Sequence, residues 1–240
     1  MAAADAPTVF DRAAALVRHG DRVGLGSGRA ATRFLEALAA RMRAGLEVRG
    51  FPTSLATGGR AAELGIPLMS AAEAAQGLDI AVDGADQFTP VGLDLIKGYG
   101  RCALRERIVA GLARRFVILV GPGKRVARLG EPLPGGPARV PVDVAPFAEP
   151  FVARGLERLG LASRPWEVEG RRGVTDDGNH VLDCLTGPIA DPVALDRAIR
   201  DLPGVAGTGL FLGMAERVLE GDESFRLVAE HERATEVSSR

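Results

Sequence analysis

The sequence contains few of the residues that most often bind metals or act as nucleophiles. Only two cysteines and three histidines occur in 240 residues, and no two of them stand at the close spacing of a zinc-binding motif. We therefore expect no metal site, and we interpret both cysteines as small buried residues. The residues concerned are Cys102, Cys184, His19, His180 and His231.

Charge of one sign, aromatic series and long apolar runs are also missing. The formal net charge is -1, so no positive field favours nucleic acid, and no aromatic residues alternate with basic ones to stack bases. No apolar run reaches the roughly 20 residues that cross a bilayer, and the N-terminal segment lacks the pattern of a signal peptide. The sequence predicts a cytoplasmic protein without nucleic-acid or membrane partners.

Short apolar runs alternate with helix-like segments through the first half of the chain. This alternation predicts an α/β fold, in which helices cover both faces of a Rossmann-like parallel sheet. Ligands of such sheets bind beyond the carboxyl ends of the strands. The apolar runs are "DRVGLGSG", "LEVRGFPTS", "LDIAVDGAD" and "RRFVILVGPGK", and the helical segments are "AATRFLEALAARMRAG", "GGRAAELG" and "ALRERIVAGLARR".

A proline-rich stretch after Leu129, "GEPLPGGPARVPVDVAPFAEP", indicates a crossing into a second unit. One helix candidate, "PFVARGLERLG", and the strand candidates "SRPWEVEG" and "NHVLDCL" are typical of a small α+β lobe. We expect "PGVAGTGLFLGMAERV" to return the chain to the main sheet as a final strand and helix. The predicted division is an α/β catalytic domain of residues 1–130 plus 207–232, an inserted lobe of residues 131–206 and a tail of residues 233–240.

The segment "VGLGSGRAATRF" reads as a strand, a glycine-rich turn and the start of a helix. Backbone N–H groups at such a helix start suit an anion. Gly24, Gly26 and Gly28 give G-x-G-x-G rather than the dinucleotide-binding G-x-G-x-x-G, and the next predicted strand ends in Arg49 rather than in an acid for a ribose hydroxyl. We therefore expect no nicotinamide or flavin cofactor. A tight turn without a ligand is the alternative.

Charged residues cluster after the third predicted strand. "DIAVDGADQF" ends in Asp83 and Asp86, Lys97 follows in a glycine-flanked loop, and Glu106 stands on the next helix among small apolar residues. A buried carboxylate has to be paired, protonated or turned toward a polar cleft. The alternatives are a solvated turn at the aspartates and a surface ion pair between Glu106 and an arginine of its own helix.

All four side chains fall at the predicted carboxyl end of one sheet. Three carboxylates and an ammonium in one cleft suit proton transfer on an oxygen-rich substrate. Hydrolysis by a nucleophilic serine is not expected, because the sequence lacks a G-x-S-x-G elbow.

Six blocks of the sequence resemble, in order and spacing, the ribose-5-phosphate isomerases of type A. The resemblance runs from about Val9 to Val228. It implies interconversion of D-ribose 5-phosphate and D-ribulose 5-phosphate through an enediol or enediolate, with no metal and no cofactor. It also implies a homodimer or homotetramer, with the lobe supporting subunit association. The blocks are "GLGSGRAAT", "DIAVDGADQF", "LIKGYGRCALRERIVA", "FVILVGPGKRVARLGEPLP", "TDDGNHVLD" and "LPGVAGTGLFLGMAERV".

The resemblance also implies roles for single residues. Glu106 is the base that moves a proton between C1 and C2, Asp83 and Asp86 assist ring opening, and Lys97 stabilises the enediolate oxygens. A sugar phosphate is the implied small-molecule partner, with Lys124 pointing at its phosphate. The implied substrate-binding residues are Gly26, Ser27, Gly28, Arg29, Ala30, Gly84, Ala85, Gly98, Tyr99, Gly100 and Lys124.

The chain departs from the family pattern around the substrate. Arg29 and Ala30 stand where two hydroxyl residues are usual, Gln87 replaces an acid, and Tyr99 and Arg101 replace small residues. These departures keep three alternatives open. The chain could isomerise a different phosphorylated sugar, bind a sugar phosphate without catalysis, or carry another activity such as acyl-CoA transfer or deamination.

Overall fold

The structure, a computed structural model, describes residues 6–233. The predicted tail therefore lies outside the described residues, apart from its first residue. The helices are α1 (Val9–Ala15), α2 (Gly28–Arg43), α3 (Leu55–Glu63), α4 (Ala71–Ala74), α5 (Ala103–Leu112), α6 (Glu149–Arg158) and α7 (Pro192–Arg200). The strands are β1 (Arg22–Leu25), β2 (Arg49–Pro52), β3 (Ile80–Gly84), β4 (Gln87–Phe88), β5 (Leu95–Ile96), β6 (Phe116–Val120), β7 (Arg139–Val144), β8 (Ala162–Pro165), β9 (Glu167–Val168), β10 (Arg171–Arg172), β11 (His180–Leu185), β12 (Val205–Thr208), β13 (Leu210–Phe211), β14 (Arg217–Gly221) and β15 (Leu227–Glu232).

A six-stranded sheet forms the centre of the molecule, in the order β15-β14-β6-β3-β1-β2. Its strands pair in parallel, except that β15 runs antiparallel to β14 at one edge. The predicted α/β fold with a parallel core is confirmed. Within residues 6–233, no helix has both the length and the apolarity to span a bilayer.

Strand β6 shows why the central strands read as continuous apolar runs. Val117 and Leu119 face the core formed with α1, α2 and α3, whereas Phe116, Ile118 and Val120 face a second core that includes residues of α4 and α5. Side chains alternate along a strand, so a sheet covered on both faces needs apolar residues at every position.

The inserted lobe has its own four-stranded antiparallel sheet, in the order β12-β7-β11-β8. Val140, Val142 and Val144 of β7 enter a third core, to which α6 contributes Val152 and α7 contributes Ile199. Pro141, between two of these valines, lies close to Gly98 of the main domain. The prediction of a small α+β lobe is confirmed.

The segment after α7 follows a different course from the one expected. Strand β12 completes the lobe sheet beside β7, and β13 pairs with β5, so the chain rejoins the main sheet only at β14. The predicted helix is also wrong, because residues 203–216 form strands and turns. This segment pairs its backbone with β7 and β5 instead of forming a helix. Gly209 allows the close approach, since a Cβ atom there would lie 2.3 Å from the Lys97 carbonyl oxygen.

The chain leaves β1 toward β2 on one side and returns to β3 on the other. This reversal opens a crevice at the carboxyl ends of β1 and β3, the position at which ligands bind in open α/β sheets. The loops after β1, β3 and β6 all reach it.

Candidate active site

A cavity of about 550 Å³ occupies this crevice. Its lining combines the loop after β1, the end of β3, the loop after β5, the start of α5 and the loop after β6. The lining residues are Ser27, Gly28, Arg29, Ala30, Arg33, Gly84, Ala85, Asp86, Lys97, Gly98, Gly100, Glu106, Leu119, Val120, Gly121, Pro122, Lys124 and Phe225.

A buried ionic cluster forms the polar wall of the cavity. The Nζ atom of Lys97 lies 3.0 Å from Oδ2 of Asp83 and 3.2 Å from Oε2 of Glu106, and it donates a hydrogen bond to the Gly84 carbonyl oxygen at 2.5 Å. Lys97 and Asp83 are each 2% exposed, and Glu106 is 4% exposed. The structure therefore favours the buried-carboxylate interpretation of Glu106 over a surface ion pair.

Burial and mutual attraction act against each other in this cluster. Burial alone lowers the pKa of the Lys97 ammonium, but the carboxylates of Asp83 and Glu106 outweigh it and raise that pKa, so Lys97 stays charged. Burial raises the pKa of Glu106, the ammonium of Lys97 opposes this, and the charge of Asp83 adds to it. Glu106 is thus a stronger base than an exposed carboxylate.

Asp83 acts as a brace between two loops. Its Oδ1 accepts hydrogen bonds from the backbone N–H groups of Ser27 at 3.0 Å and Gly84 at 2.7 Å, while Oδ2 faces Lys97. Gly26 leaves room for this arrangement, because a Cβ atom there would lie 2.3 Å from Cγ of Asp83. The glycine-rich turn after β1 is therefore shaped by the aspartate of β3.

Asp86 faces the cavity from the other side of Gly84 and Ala85. Its Oδ2 accepts a hydrogen bond from the Tyr99 backbone N–H at 3.0 Å, and its own N–H donates to the Ile96 carbonyl oxygen. Burial raises the pKa of Asp86, against this hydrogen bond and the charge of Lys97. A cavity-facing carboxyl group with a raised pKa can exchange protons with substrate hydroxyl groups.

The start of α5 presents Glu106 to the cavity. Glu106 lies in the first turn, where the helix dipole favours negative charge, and Val109 and Ala110, one turn further along the same face, are buried in the core. Cys102 precedes the helix, and burial, with the charge of Glu106, raises the pKa of its thiol to about 11. The thiol therefore stays protonated. The prediction of two buried cysteines is confirmed for Cys184, whereas Cys102 is only half-buried.

The segment containing β13 supports Lys97 from behind. The Lys97 N–H donates to the Gly209 carbonyl oxygen at 2.9 Å, and the ring centroid of Phe211 lies 5.4 Å from Nζ. The "GVAGTGLF" block of the sequence thus fixes the backbone of a site residue, a link that spacing along the sequence does not reveal.

Most of the predicted site residues line the cavity, but three do not. Asp83 and Gly26 lie behind the lining, as described above. The Tyr99 side chain turns away, since its hydroxyl oxygen accepts a hydrogen bond from the Arg139 N–H at 2.9 Å, and the Arg139 guanidinium lies over its ring. Only the backbone of Tyr99 touches a site residue, through Asp86.

Two departures from the family pattern have structural roles outside the cavity. Gln87 is fully buried, donates to the Glu131 carbonyl oxygen at 2.6 Å and accepts from the Gly130 N–H at 2.8 Å. Arg101 forms a two-pronged ion pair with Asp183 of β11, at 2.7 and 3.0 Å. These side chains fasten loops instead of shaping the substrate pocket.

Sequence reasoning missed part of the lining. Arg33 and Phe225 were not predicted, nor were Leu119, Val120 and Pro122. A signal for Arg33 was present, because it lies one helical turn after Arg29 and so shares its face of α2. No local signal marked Phe225, which reaches the cavity from a loop far along the chain.

The fold and the site define a class of protein. A parallel α/β sheet carries, at its carboxyl edge, a carboxylate base beside a buried ammonium, which is an arrangement for general acid–base catalysis. Within residues 6–233 we find no group of three or more His, Cys, Asp or Glu side chains placed to hold a metal ion.

Comparison with known proteins identifies the family. The family model of ribose 5-phosphate isomerase A (phosphoriboisomerase A) matches residues 49–224. The ribose-5-phosphate isomerase A of Gloeobacter violaceus is 44% identical over 216 residues, which cover 90% of this chain and 91% of that protein. That of Roseiflexus sp. is 48% identical over 202 residues, covering 83% and 84%. The chain belongs to the ribose 5-phosphate isomerase A family.

Solved structures agree with this assignment. Ribose 5-phosphate isomerase A of Methanocaldococcus jannaschii is 35% identical with a TM-score of 0.86, over 94% of this chain and 97% of that one. A D-ribose-5-phosphate isomerase in complex with phospho-erythronic acid is 29% identical with a TM-score of 0.86, over 93% and 96%. The resemblance found in the sequence blocks is confirmed.

The close approach of Gly26 to Asp83 gives a first testable prediction. We expect Gly26→Ala to destabilise the protein by about 1–3 kcal/mol, since the new methyl group forces the loop after β1 away from Asp83. Urea unfolding measures the change. Gly135→Ala is the matched control, because Gly135 also lies outside helices and strands and a Cβ atom there has open space. Equal stability of the two variants would show that the contact imposes no constraint.

Proposed function

We propose that this chain interconverts D-ribose 5-phosphate and D-ribulose 5-phosphate with Glu106 as the base. The observation that carries the proposal is the position of Glu106, buried at the cavity wall beside the ammonium of Lys97. Membership of the ribose 5-phosphate isomerase A family supports the substrate, and the arrangement of charges supports the chemistry.

Glu106 removes the proton from C2 of the open-chain aldose, and the electron pair left behind forms an enediolate with its negative charge on O1. Returning the proton to C1, together with transfer of the O2 hydroxyl proton to O1, gives the ketose. Lys97 lies within ionic contact of Glu106 and lines the same cavity. It is a preplaced cation for the charge that develops on the enediolate oxygens.

The two aspartates have different roles in this proposal. Asp86 lines the cavity and exchanges protons with the ring oxygen and hydroxyl groups during ring opening. Asp83 is tied to Lys97 and two backbone N–H groups behind the lining, so its contribution is to hold Lys97 and the loop after β1 in position.

The phosphate end of the substrate lies against the start of α2. Ser27, Gly28 and Ala30 line this part of the cavity through the helix start, and Arg29 and Lys124 add positive charge. A relative was solved with phospho-erythronic acid, a phosphorylated sugar acid, which supports a sugar phosphate in this cavity.

Replacement of the base tests the proposal. We expect Glu106→Gln to lower kcat for ribose 5-phosphate by roughly 100-fold to 10,000-fold, because the amide cannot accept the proton. Turnover is measured after treatment with chelator, and arabinose 5-phosphate and unphosphorylated ribose are assayed separately alongside. Glu157→Gln, on the exposed side of α6, is the control. Near-normal turnover by Glu106→Gln would show that Glu106 is not the base. Turnover of arabinose 5-phosphate without turnover of ribose 5-phosphate by the unaltered protein would show that the substrate is a different sugar phosphate.

The pH profile gives a second test. Glu106 works in its ionised form, so kcat/KM falls as pH drops through its pKa. Because burial raises that pKa, we expect the fall of kcat/KM on the acid side, the acid limb, to have its midpoint above the pKa of roughly 4.3 of an ordinary glutamate. Removing the opposing ammonium in Lys97→Met should move the limb of the residual activity to still higher pH. A limb that stays in place in Lys97→Met would contradict the coupling of the two groups.

We also infer that the chain forms a homodimer or homotetramer through its lobe. Phe147 and Phe151 are 88% and 65% exposed, with ring centroids 5.9 Å apart, and such an apolar pair on a surface is typical of an interface. Light scattering after size-exclusion chromatography should give at least a dimeric mass, which the double variant Phe147→Ser/Phe151→Ser lowers. A monomeric mass for the unaltered protein would refute this inference.

A further inference from the structure

One wall of the cavity includes residues that the motifs did not mark. Arg33 lies on α2 one turn after Arg29, and both side chains line the cavity. Gly121 and Phe225 complete this wall, and the ring of Phe225 lies against Gly121, where a Cβ atom would be 3.3 Å from it.

Two aromatic rings hold the guanidinium group of Arg33. Its Cζ atom lies 5.1 Å from the ring centroid of Phe10 and 5.8 Å from that of Phe225, and the two rings are 5.0 Å apart. A guanidinium over aromatic faces is attracted electrostatically while its N–H groups stay available to another partner. Arg33 is therefore oriented without using its hydrogen-bond donors on a carboxylate.

The loop that supplies Phe225 adopts an unfavourable backbone conformation to do so. Phe225 has a φ of 60°, in the left-handed region that large side chains rarely occupy. Hydrogen bonds hold it there, from its N–H to the Asp222 carbonyl oxygen at 2.8 Å and from the Val9 N–H to its own carbonyl oxygen at 2.9 Å. Strained residues of this kind cluster at ligand sites.

Positive charge is left uncompensated along this wall. Among the described residues, no carboxylate lies within 4.0 Å of a charged nitrogen of Arg29, Arg33 or Lys124, although many of the other arginines are ion-paired. An anion bound at this wall would balance that positive charge.

We propose that Arg33, oriented by Phe10 and Phe225, binds the phosphate group of the substrate. This proposal adds a substrate contact to the proposed function and rests on that function for the identity of the sugar. The phosphate contact itself is argued from the geometry of this wall. The planar N–H groups of the Arg33 guanidinium match phosphate oxygens in pairs. The competing interpretation is that Arg33 only packs on the rings.

The test compares Arg33→Ala and Arg33→Lys with Arg43→Ala, an exposed arginine of α2 outside the cavity. Calorimetry measures the Kd of phospho-erythronic acid and of inorganic phosphate, and kinetics give KM and kcat for ribose 5-phosphate. We expect Arg33→Ala to weaken binding of both ligands and to raise KM by roughly 10-fold to 100-fold, with kcat changed far less. Arg33→Lys should recover part of the loss, and Arg43→Ala should match the unaltered protein.

Unphosphorylated erythronic acid and the variant Phe225→Leu complete the design. Arg33→Ala should leave the affinity for erythronic acid unchanged, and Phe225→Leu should weaken phosphate binding in the same direction by a smaller factor. Unchanged phosphate binding in Arg33→Ala, or equal loss for erythronic acid, would overturn the proposal. If the unaltered protein failed to turn over ribose 5-phosphate while phosphate binding still depended on Arg33, the proposed function would fail and the phosphate contact would stand.

Discussion

The buried ammonium of Lys97, held between the carboxylates of Asp83 and Glu106, is the interaction on which the rest of the site depends. Either carboxylate buried alone would be costly to keep ionised. Together with the cation they remain in a low-dielectric wall, where Glu106 is more basic than an exposed carboxylate and Lys97 stays charged. The same cluster therefore determines both the charge of Lys97 and the basicity of Glu106.

The surrounding structure is arranged to place that cluster. Asp83 lies at the carboxyl end of β3, and Glu106 lies in the first turn of α5. Gly209, next to β13, fixes the backbone of Lys97 through its carbonyl oxygen. The lobe reaches the same region, because Arg101, four residues after Lys97, is ion-paired to Asp183 of the lobe sheet. This ion pair fastens the loop that carries the cation to the lobe sheet.

The residues that the resemblance marks as departures fall into two groups. Gln87, Tyr99 and Arg101 stand near the site in sequence, yet their side chains fasten loops and do not line the cavity. Arg29 stands in the cavity, and beside it lies Arg33, which no motif marks. The arginines that line the cavity therefore lie together on one wall, at the start of α2, and the ionic cluster of Asp83, Lys97 and Glu106 lies apart from them.

The sequence by itself determined the parallel α/β core, the α+β lobe and the residues of the ionic cluster, because strand periodicity and a carboxylate on an apolar helix face are local signals. Only the tertiary structure decided that Asp83 supports rather than lines the cavity, that Gln87 and Tyr99 turn away, and that β12 joins the lobe sheet. It also brought Phe225 to Arg33 across the chain. The direction of a side chain depends on partners distant in sequence, and local patterns carry no information about those partners.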